Sequence, residues 1–355
     1  MEQVIYNLNT KGFDALRKNK FIKAQDYFNM AIVTIIETKQ NLNELNNIRY
    51  NLGIAYLKDN VYSYGFNNYR SVLDCSYIGQ RDFYDIKKHL TKASQIKDQC
   101  VLIYNLISID YFILFCRYIP QFIELYSPQK VIIEVHEYIL PFLSKIPLLK
   151  DCSFVSHASI ESFDCHMEIS TLPYFIDINS SYETFDHLIP YVFPNNEITE
   201  KQTKMLKPLI KNSKKTILLN WTINPNFERS NINEMDINYI KEFTEKFPTV
   251  KFICAQDPIQ DSTINNILIN KNIQNYEQTS SMISLVDFVI TTCSFLAHVA
   301  AAMGKKVLLL LDTNHEWLWY NTNWYPTVKI FKQRHCGDWF HVFEDLTLYL
   351  KSQIC

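Results

Sequence analysis

A strand, a short polar turn and an alanine-rich helix follow one another between Asp287 and Lys306, and this order constrains the fold more than any other part of the chain. The β-forming run DFVIT gives way to small polar residues, and the helix after them leads into the apolar run KVLLLL. Two such strands joined by a helix are typical of a parallel β-α-β unit. The first N–H groups of a helix favour an anion. We therefore predict a phosphate-binding turn at residues 291–294.

The same alternation of strand and helix extends back to Cys100. The predicted strands of a first unit are CVLIYNL, KVIIEVH, CSFVSH and FDCHMEI. A second series begins with the predicted strand KTILLNW and includes a predicted helix near STINNILIN. A polar segment with Pro190, Pro194 and Pro208 separates the two series and is interpreted as a linker. We expect an α/β protein with two largely parallel sheets, in domains 98–205 and 206–355, and ligands at the carboxyl ends of the strands.

The first hundred residues have a helical pattern instead. A glycine is followed by small or aromatic residues at offsets of 12, 16 and 19 in two places. The first set is Gly12, Ala24, Phe28 and Ala31, and the second is Gly53, Gly65, Tyr69 and Val72. This pattern resembles tetratricopeptide repeats over residues 1–97, although the 41 residues from Gly12 to Gly53 exceed the 34-residue period and require an insertion. An ordinary helical hairpin bundle is the alternative.

The amino-acid composition limits which binding partners and which cellular compartment we expect for this protein. A formal net charge of -2 gives no global attraction to nucleic acid or to an anionic membrane. Nine cysteines without CxxC or zinc spacing favour reduced thiols, and the N-terminal sequence lacks an apolar signal core, so we expect a cytoplasmic protein. The apolar segment Val101–Ile119 contains Asp110 and Arg117. It is therefore interpreted as a buried strand and helix, not as a transmembrane segment.

Polar and aromatic residues follow several predicted strands of the second unit and should converge on one edge of its sheet. They are found at 221–224, at Gln256 and Asp257, at 291–294 and at 312–315. Ser294 is placed to cap the alanine-rich helix, and His298 lies one turn further on. One interpretation is a diphosphate held by the helix N–H groups with His298 as an added donor. The other is a buried histidine that locks the helix to a neighbouring strand.

A series of short motifs gives this region a family resemblance. The motifs occur in the order Asp287–Ile290, Ala297-His298, Gly304-Lys305, Trp317 with Trp319, Trp324–Pro326, Phe331 with Gln333, and Gly337–Trp339. The segment thereby resembles the C-terminal half of bacterial tetratricopeptide-repeat glycosyltransferases, which are related to the heptosyltransferases and more distantly to O-GlcNAc transferases. FCRYIP, FDCHMEISTLP and LLNWTINP match the same family upstream, so the resemblance covers nearly the whole chain.

The resemblance implies a GT-B architecture, with two Rossmann-like domains facing across a cleft. It also implies a nucleotide sugar bound mainly by the C-terminal domain, an acceptor approaching from the N-terminal domain, inversion at the sugar, and no metal or other cofactor. Two positions depart from the family pattern. Asp110-Tyr111 stands where the family has Gly-Asp, and Cys293 stands where Asp or Asn often precedes Thr-Ser.

Inversion requires a base that takes the proton of the acceptor. The candidates are Asp110, His136, Asp164 and His166. Asp110 is the first choice because it follows the first predicted strand. The alternative is that it caps the next helix. Asp164 and His166, two residues apart, share one face of a strand and could act together, or one of them could be structural.

The candidate donor contacts complete the functional prediction. Arg229 could pair with phosphate, and Trp317 could stack on a base or sugar or instead fill the core. The predicted donor-binding residues are Trp221, Asn224, Arg229, Gln256, Thr292, Cys293, Ser294, His298 and Trp317. We predict a glycosyltransferase that acts on a protein or glycan acceptor, with a protein partner bound by the helical region. The alternative is a catalytically inactive scaffold of the same fold that works as a protein-binding adaptor.

Overall fold

The computed structural model describes residues 2–74, 86–156, 162–178, 188–221, 235–255, 267–269, 275–320 and 324–354. The chain divides into two compact units. The first unit comprises Met1–Glu137, Leu148–Thr184 and Glu316–Asn321. The second comprises Tyr138–Pro147, Phe185–His315 and Thr322–Cys355.

The first unit begins with four consecutive helices. They are α1 (Glu2–Arg17), α2 (Phe21–Thr38), α3 (Leu45–Lys58) and α4 (Tyr62–Tyr69). A methyl group at Gly12 would lie 2.4 Å from the Phe28 ring, and one at Gly53 would lie 2.6 Å from the Tyr69 backbone nitrogen. The paired glycine and aromatic positions therefore lie where neighbouring helices approach closely. Their assignment to tetratricopeptide repeats stays a prediction.

A four-stranded parallel sheet follows these helices. Its strands are β1 (Cys100–Tyr104), β2 (Lys130–Glu134), β3 (Ser153–Val155) and β4 (Cys165–Glu168), in the order β3-β2-β1-β4. Helices α5 (Ile109–Phe115) and α6 (Ile119–Tyr126) connect β1 to β2, and α8 (Leu172–Phe175) comes after β4. The apolar segment Val101–Ile119 therefore forms a strand and a helix, as predicted. No helix among the described residues is long and apolar enough to cross a membrane.

The second unit is built around a six-stranded parallel sheet. Its elements are α7 (Leu140–Leu143), α9 (Asn196–Ile210), β5 (Lys215–Asn220), α10 (Ile237–Glu245), β6 (Val250–Cys254), β7 (Ile267–Ile269), α11 (Tyr276–Leu285), β8 (Phe288–Thr292), α12 (Phe295–Ala302), β9 (Lys306–Leu311), β10 (Val328–Lys332) and α13 (Trp339–Ile354). The strand order is β10-β9-β8-β5-β6-β7, and every pair of neighbours is parallel. β7 lies where the sequence pattern predicted a helix, and β10 had not been predicted.

This order is that of a doubly wound Rossmann sheet whose first strand is β5. The chain winds outward through β6 and β7 on one side of β5, and through β8, β9 and β10 on the other side. The central strands are nearly continuous apolar runs because helices cover both faces of such a sheet. On one face, residues such as Leu219, Ile290 and Leu310 share a buried core with Phe343 and Leu346 of α13.

Candidate functional site

A cluster of hydroxyl and amide groups lies where the second sheet reverses its winding. Asn220 ends β5, and its Nδ2 donates to Oγ1 of Thr291 in the adjacent strand β8 over 3.2 Å. The Thr291 hydroxyl lies 3.0 Å from the hydroxyl of Ser294, immediately before α12. Ligands of doubly wound sheets bind beyond the carboxyl ends of the strands at this switch point. Thr291 belongs to the predicted turn at residues 291–294, although it was not among the predicted donor contacts. Asn220 had not been predicted, although it ends a predicted strand.

Ser294 does not cap α12 in the manner the sequence suggested. Its backbone is extended, and its side chain makes no capping hydrogen bond to the helix. The hydroxyl donates instead to the carbonyl oxygen of Thr292 over 3.2 Å. The Ser294 side chain therefore does not compete with an anion for the first N–H groups of the helix. Cys293 and Ser294 are both partly exposed, whereas Thr292 is buried.

His298 points into the protein interior. Its side chain has no exposed surface, and Nδ1 lies 3.1 Å from the hydroxyl oxygen of Tyr325. That hydroxyl lies 3.4 Å from the hydroxyl of Tyr191, whose backbone N–H donates to the carbonyl oxygen of Ala302. His298 is thus part of a buried polar chain that ties α12 to two other segments. A direct contact between this imidazole and a ligand would require local rearrangement.

Aromatic side chains pack at the start of α12. The ring of Phe295 lies 4.5 Å from Tyr276 on α11 and 6.0 Å from Phe142 on α7. Trp221, directly after β5, is buried in the same core as the central strands. Apolar side chains therefore directly follow Asn220 and Ser294 of the hydroxyl cluster along the chain.

Trp317 is packed among aromatic rings of the first unit. Its ring centroid lies 5.8 Å from Phe66, 5.9 Å from Tyr69 and 6.3 Å from Tyr111. The side chain is only 3% exposed. This environment agrees with the core-filling interpretation of Trp317, because little of its ring is left for stacking on a ligand.

Asp110 lies in the first turn of α5, just beyond the carboxyl end of β1. The N-cap position of that helix belongs to Ser108, so Asp110 is not the cap. Burial raises the pKa of the Asp110 carboxyl from 3.8 to about 7. A carboxyl group that titrates near neutrality is suited to accept and release a proton under physiological conditions.

The other two predicted catalytic residues lie elsewhere on the first sheet. Asp164 precedes β4, and its Oδ2 accepts a hydrogen bond from the Cys100 N–H over 2.8 Å. Cys100 begins β1 and Asp110 follows its other end, so Asp164 and Asp110 lie at opposite edges of the first sheet, and the strand between these edges is roughly 13 Å long. His166 is buried within β4, with Nδ1 3.2 Å from the Tyr104 hydroxyl. The structure does not bring Asp164 and Asp110 together.

Glu168 is a carboxylate at the carboxyl edge of the first sheet, the edge nearer to Asp110, and it was not predicted from the sequence. It ends β4 and has no exposed surface. Its Oε2 accepts the N–H of Ser170 over 2.7 Å, and its Oε1 accepts the N–H of Leu106 over 3.4 Å. Leu106 belongs to the turn that leads to Asp110. The signal available in the sequence was a charged residue at the carboxyl end of a strand.

Three predicted donor contacts, Asn224, Arg229 and Gln256, lie outside the described residues. Among the residues that are described, no group of three or more His, Cys, Asp or Glu side chains is arranged to hold a metal ion.

Comparison with known proteins identifies the fold. The sequence matches no protein-family model. No curated protein matches it either. The structure is similar to a glycosyl transferase of family 9 from Veillonella parvula DSM 2008, at 9% identity and a TM-score of 0.50, over 73% of this chain and 98% of that one. It is also similar to the ADP-heptose lps heptosyltransferase II of E. coli, at 10% identity and a TM-score of 0.50, over 72% of this chain and all of that one. The protein therefore has the α/β fold of the GT-B heptosyltransferases, with two parallel sheets.

Proposed function

We propose that this protein is a glycosyltransferase that moves a sugar from a nucleotide-diphosphate donor to a protein or glycan acceptor. The observation that carries the proposal is the cluster of Asn220, Thr291 and Ser294 at the switch point of the second sheet, immediately before α12. Such a position binds phosphate groups in doubly wound folds because helix N–H groups point outward there. The likeness of the fold to that of family 9 glycosyltransferases supports the same class of reaction.

In this proposal the diphosphate lies against the turn formed by Thr292, Cys293 and Ser294. The amides at the start of α12 would stabilise the negative charge that develops on the leaving nucleotide, so no metal ion is required. His298 would act through its contact with Tyr325, by holding α12 in position. Asn224, Arg229 and Gln256 remain predicted contacts of the donor, and Trp317 is assigned to packing.

Asp110 is the proposed base of an inverting reaction. Its carboxylate would take the proton of the acceptor hydroxyl while that oxygen bonds to the anomeric carbon and the bond to the nucleotide diphosphate breaks. The elevated pKa of Asp110 favours proton uptake near neutral pH. Glu168 would hold the turn before Asp110 through its hydrogen bond with the Leu106 N–H.

Nucleotide binding tests the donor site directly. One of UDP, GDP and ADP should raise the melting temperature, since a ligand at one hundred times its Kd stabilises the folded state by about 2.7 kcal/mol. Thr291→Val removes the central hydroxyl of the cluster with little change of shape and should abolish the shift. Thr216→Val is the matched control, because Thr216 is buried in β5 near its amino end. His298→Ala should also abolish the shift, and retention of the shift would remove His298 from the site.

One observation favours the inactive scaffold as a second candidate. Tyr111 lies in the first turn of α5, with its ring centroid 6.0 Å from that of Phe115 and 6.3 Å from that of Trp317, and the family that the sequence resembles has a smaller residue there. An adaptor would show no thermal shift with any of the three nucleotides and no hydrolysis of nucleotide sugars. A thermal shift together with donor hydrolysis that Asp110→Asn eliminates would support the transferase.

A further inference from the structure

A cavity of about 360 Å³ lies in the first unit between α4 and the segment around α8. Its lining includes Tyr64 and Asn67 of α4, Tyr126 at the end of α6, and Tyr174 and Asp177 around the end of α8. The volume falls within the range of small-ligand sites. None of these residues belongs to the proposed donor site or to the proposed base, so the cavity calls for a separate explanation.

Two of the tyrosine rings are fixed by hydrogen bonds within the protein. The Tyr126 hydroxyl donates to the carbonyl oxygen of Phe175, and the Tyr174 hydroxyl accepts from Nη1 of Arg70 over 2.9 Å. Their hydroxyl groups are thus engaged internally, and the rings contribute aromatic surface. Tyr64 is different because 63% of it is exposed, with its ring 5.6 Å from that of Tyr56.

The charge of the lining is negative. Asp177 is an exposed carboxylate of the lining, and none of the described residues that line the cavity is a lysine or arginine. Asp177 and Tyr126 line the same cavity, and burial and then the charge of Asp177 raise the pKa of the Tyr126 hydroxyl. Arg70 lies outside the lining, with its guanidinium carbon 4.5 Å from the centroid of the Tyr174 ring. One ring of the lining therefore already binds a cation.

We propose that this cavity binds a lysine or arginine side chain of a polypeptide partner. Aromatic faces attract cations that approach within about 6 Å of the ring centroid, and the Asp177 carboxylate adds direct attraction. The aliphatic stem of a lysine or arginine also packs against aromatic surface. An anionic ligand would meet the Asp177 carboxylate, and the described residues of the lining include no lysine or arginine to offset its charge. The proposal is independent of sugar transfer.

Fluorescence anisotropy with a labelled nine-residue peptide that alternates glycine and lysine tests this site in the full-length protein. The matched probe is the same peptide with every lysine Nε-acetylated, since acetylation removes the charge and keeps the stem. The lysine peptide should bind at least fivefold more tightly than the acetylated one, and its binding should weaken as the salt concentration rises. Equal binding of the two peptides, or no binding of either, would overturn the proposal.

Two substitutions locate the binding. Asp177 has a φ of 47°, and asparagine is well tolerated in this region, so Asp177→Asn removes the charge without disturbing the backbone. It should weaken binding of the lysine peptide by up to about fivefold. Tyr64→Ala should weaken it by about two- to fivefold. Asp98→Asn is the matched control, because Asp98 is exposed, has a φ of 59° and lies outside the cavity lining.

The control variant should bind the lysine peptide as the unmodified protein does. An unchanged affinity of Asp177→Asn, or an equal loss in Asp98→Asn, would overturn the assignment to this cavity. Displacement of the peptide by the neutral trisaccharide chitotriose would show a saccharide site and would overturn it as well.

Discussion

The imidazole Nδ1 of His298 and the phenol oxygen of Tyr325 lie 3.1 Å apart in the interior of the second unit. His298 has no exposed surface and Tyr325 is 1% exposed, so water does not substitute for either partner. The contact joins α12, which begins at the proposed diphosphate turn, to the segment before β10. The geometry of that turn therefore depends on a buried hydrogen bond.

Tyr325→Phe should destabilise the protein. The substitution keeps the ring but removes the hydroxyl that contacts the buried His298 Nδ1, which should lower the free energy of unfolding by about 1 to 3 kcal/mol. Thermal unfolding should show a lower midpoint than for the unmodified protein. Tyr320→Phe is the control, since its hydroxyl donates to Asn19 at the surface over 2.8 Å. A Tyr325→Phe midpoint no lower than that of the control would contradict the role assigned to this contact.

Asp110 should make stability depend on pH. Its pKa is about 7 in the folded protein against 3.8 ordinarily, so between these values the folded state binds a proton that the unfolded state has released. This contribution to stability is complete below pH 4 and is lost as the pH rises through 7. Asp110→Asn lacks the titration and should gain about 2 to 3 kcal/mol on the unmodified protein between pH 5 and pH 8.

Urea unfolding at both pH values measures this difference. Asp14→Asn, at an exposed site on α1, is the control for the loss of one carboxylate. Parallel pH profiles of Asp110→Asn and the unmodified protein would mean that the Asp110 carboxyl titrates normally.

Gly53→Ala should destabilise the helical part of the first unit. The added methyl group would lie 2.6 Å from the backbone nitrogen of Tyr69, so α3 and the end of α4 must separate. Overpacking of this kind costs about 1 to 3 kcal/mol, which exceeds the gain in helix propensity. Urea unfolding followed by circular dichroism measures it, with Asp26→Ala at an exposed position of α2 as control. Equal stability of the two variants would show that the helices can shift freely.

Lys305→Met should lower the free energy of unfolding by about 1 to 3 kcal/mol. The Lys305 Nζ donates to the carbonyl oxygens of Ser284 and Val286 over 3.0 and 2.7 Å, at the end of α11. Lys306→Met is the matched neighbour, because Lys306 is exposed, with its Nζ 2.8 Å from Oε1 of Gln353 and 5.4 Å from the centroid of the Phe288 ring. Differential scanning fluorimetry should separate the two variants, and similar midpoints would contradict a structural role for Lys305.

The sequence alone predicted most of the strands and helices along the chain, but not the order of the strands within each sheet. The apolar runs of β1, β5, β8 and β9 are unambiguous because buried parallel strands have few polar residues. β7 was mistaken for a helix since three residues carry no measurable periodicity, and β10 has the mixed burial of an edge strand. The GT-B fold itself was predicted from the motifs between Asp287 and Trp339.

The site was anticipated only in part, because a sequence gives a residue's neighbours along the chain but not the direction of its side chain. The turn at residues 291–294 follows from strand and helix signals that act locally. Pairing of β5 with β8, 71 residues apart, is a tertiary event, and it alone brings Asn220 to Thr291.

The same distinction separates the catalytic candidates. Strand direction and register decide that Asp164 meets Cys100 at the amino edge of the first sheet, whereas Glu168 ends the same strand at the edge near Asp110. Burial, which raises the pKa of Asp110, and the packing of Trp317 among aromatic rings are likewise products of the assembled fold. The amino-acid sequence thus determines which functional groups are present. Long-range packing decides which of them come into contact and, for Asp110, the pKa of the carboxyl group.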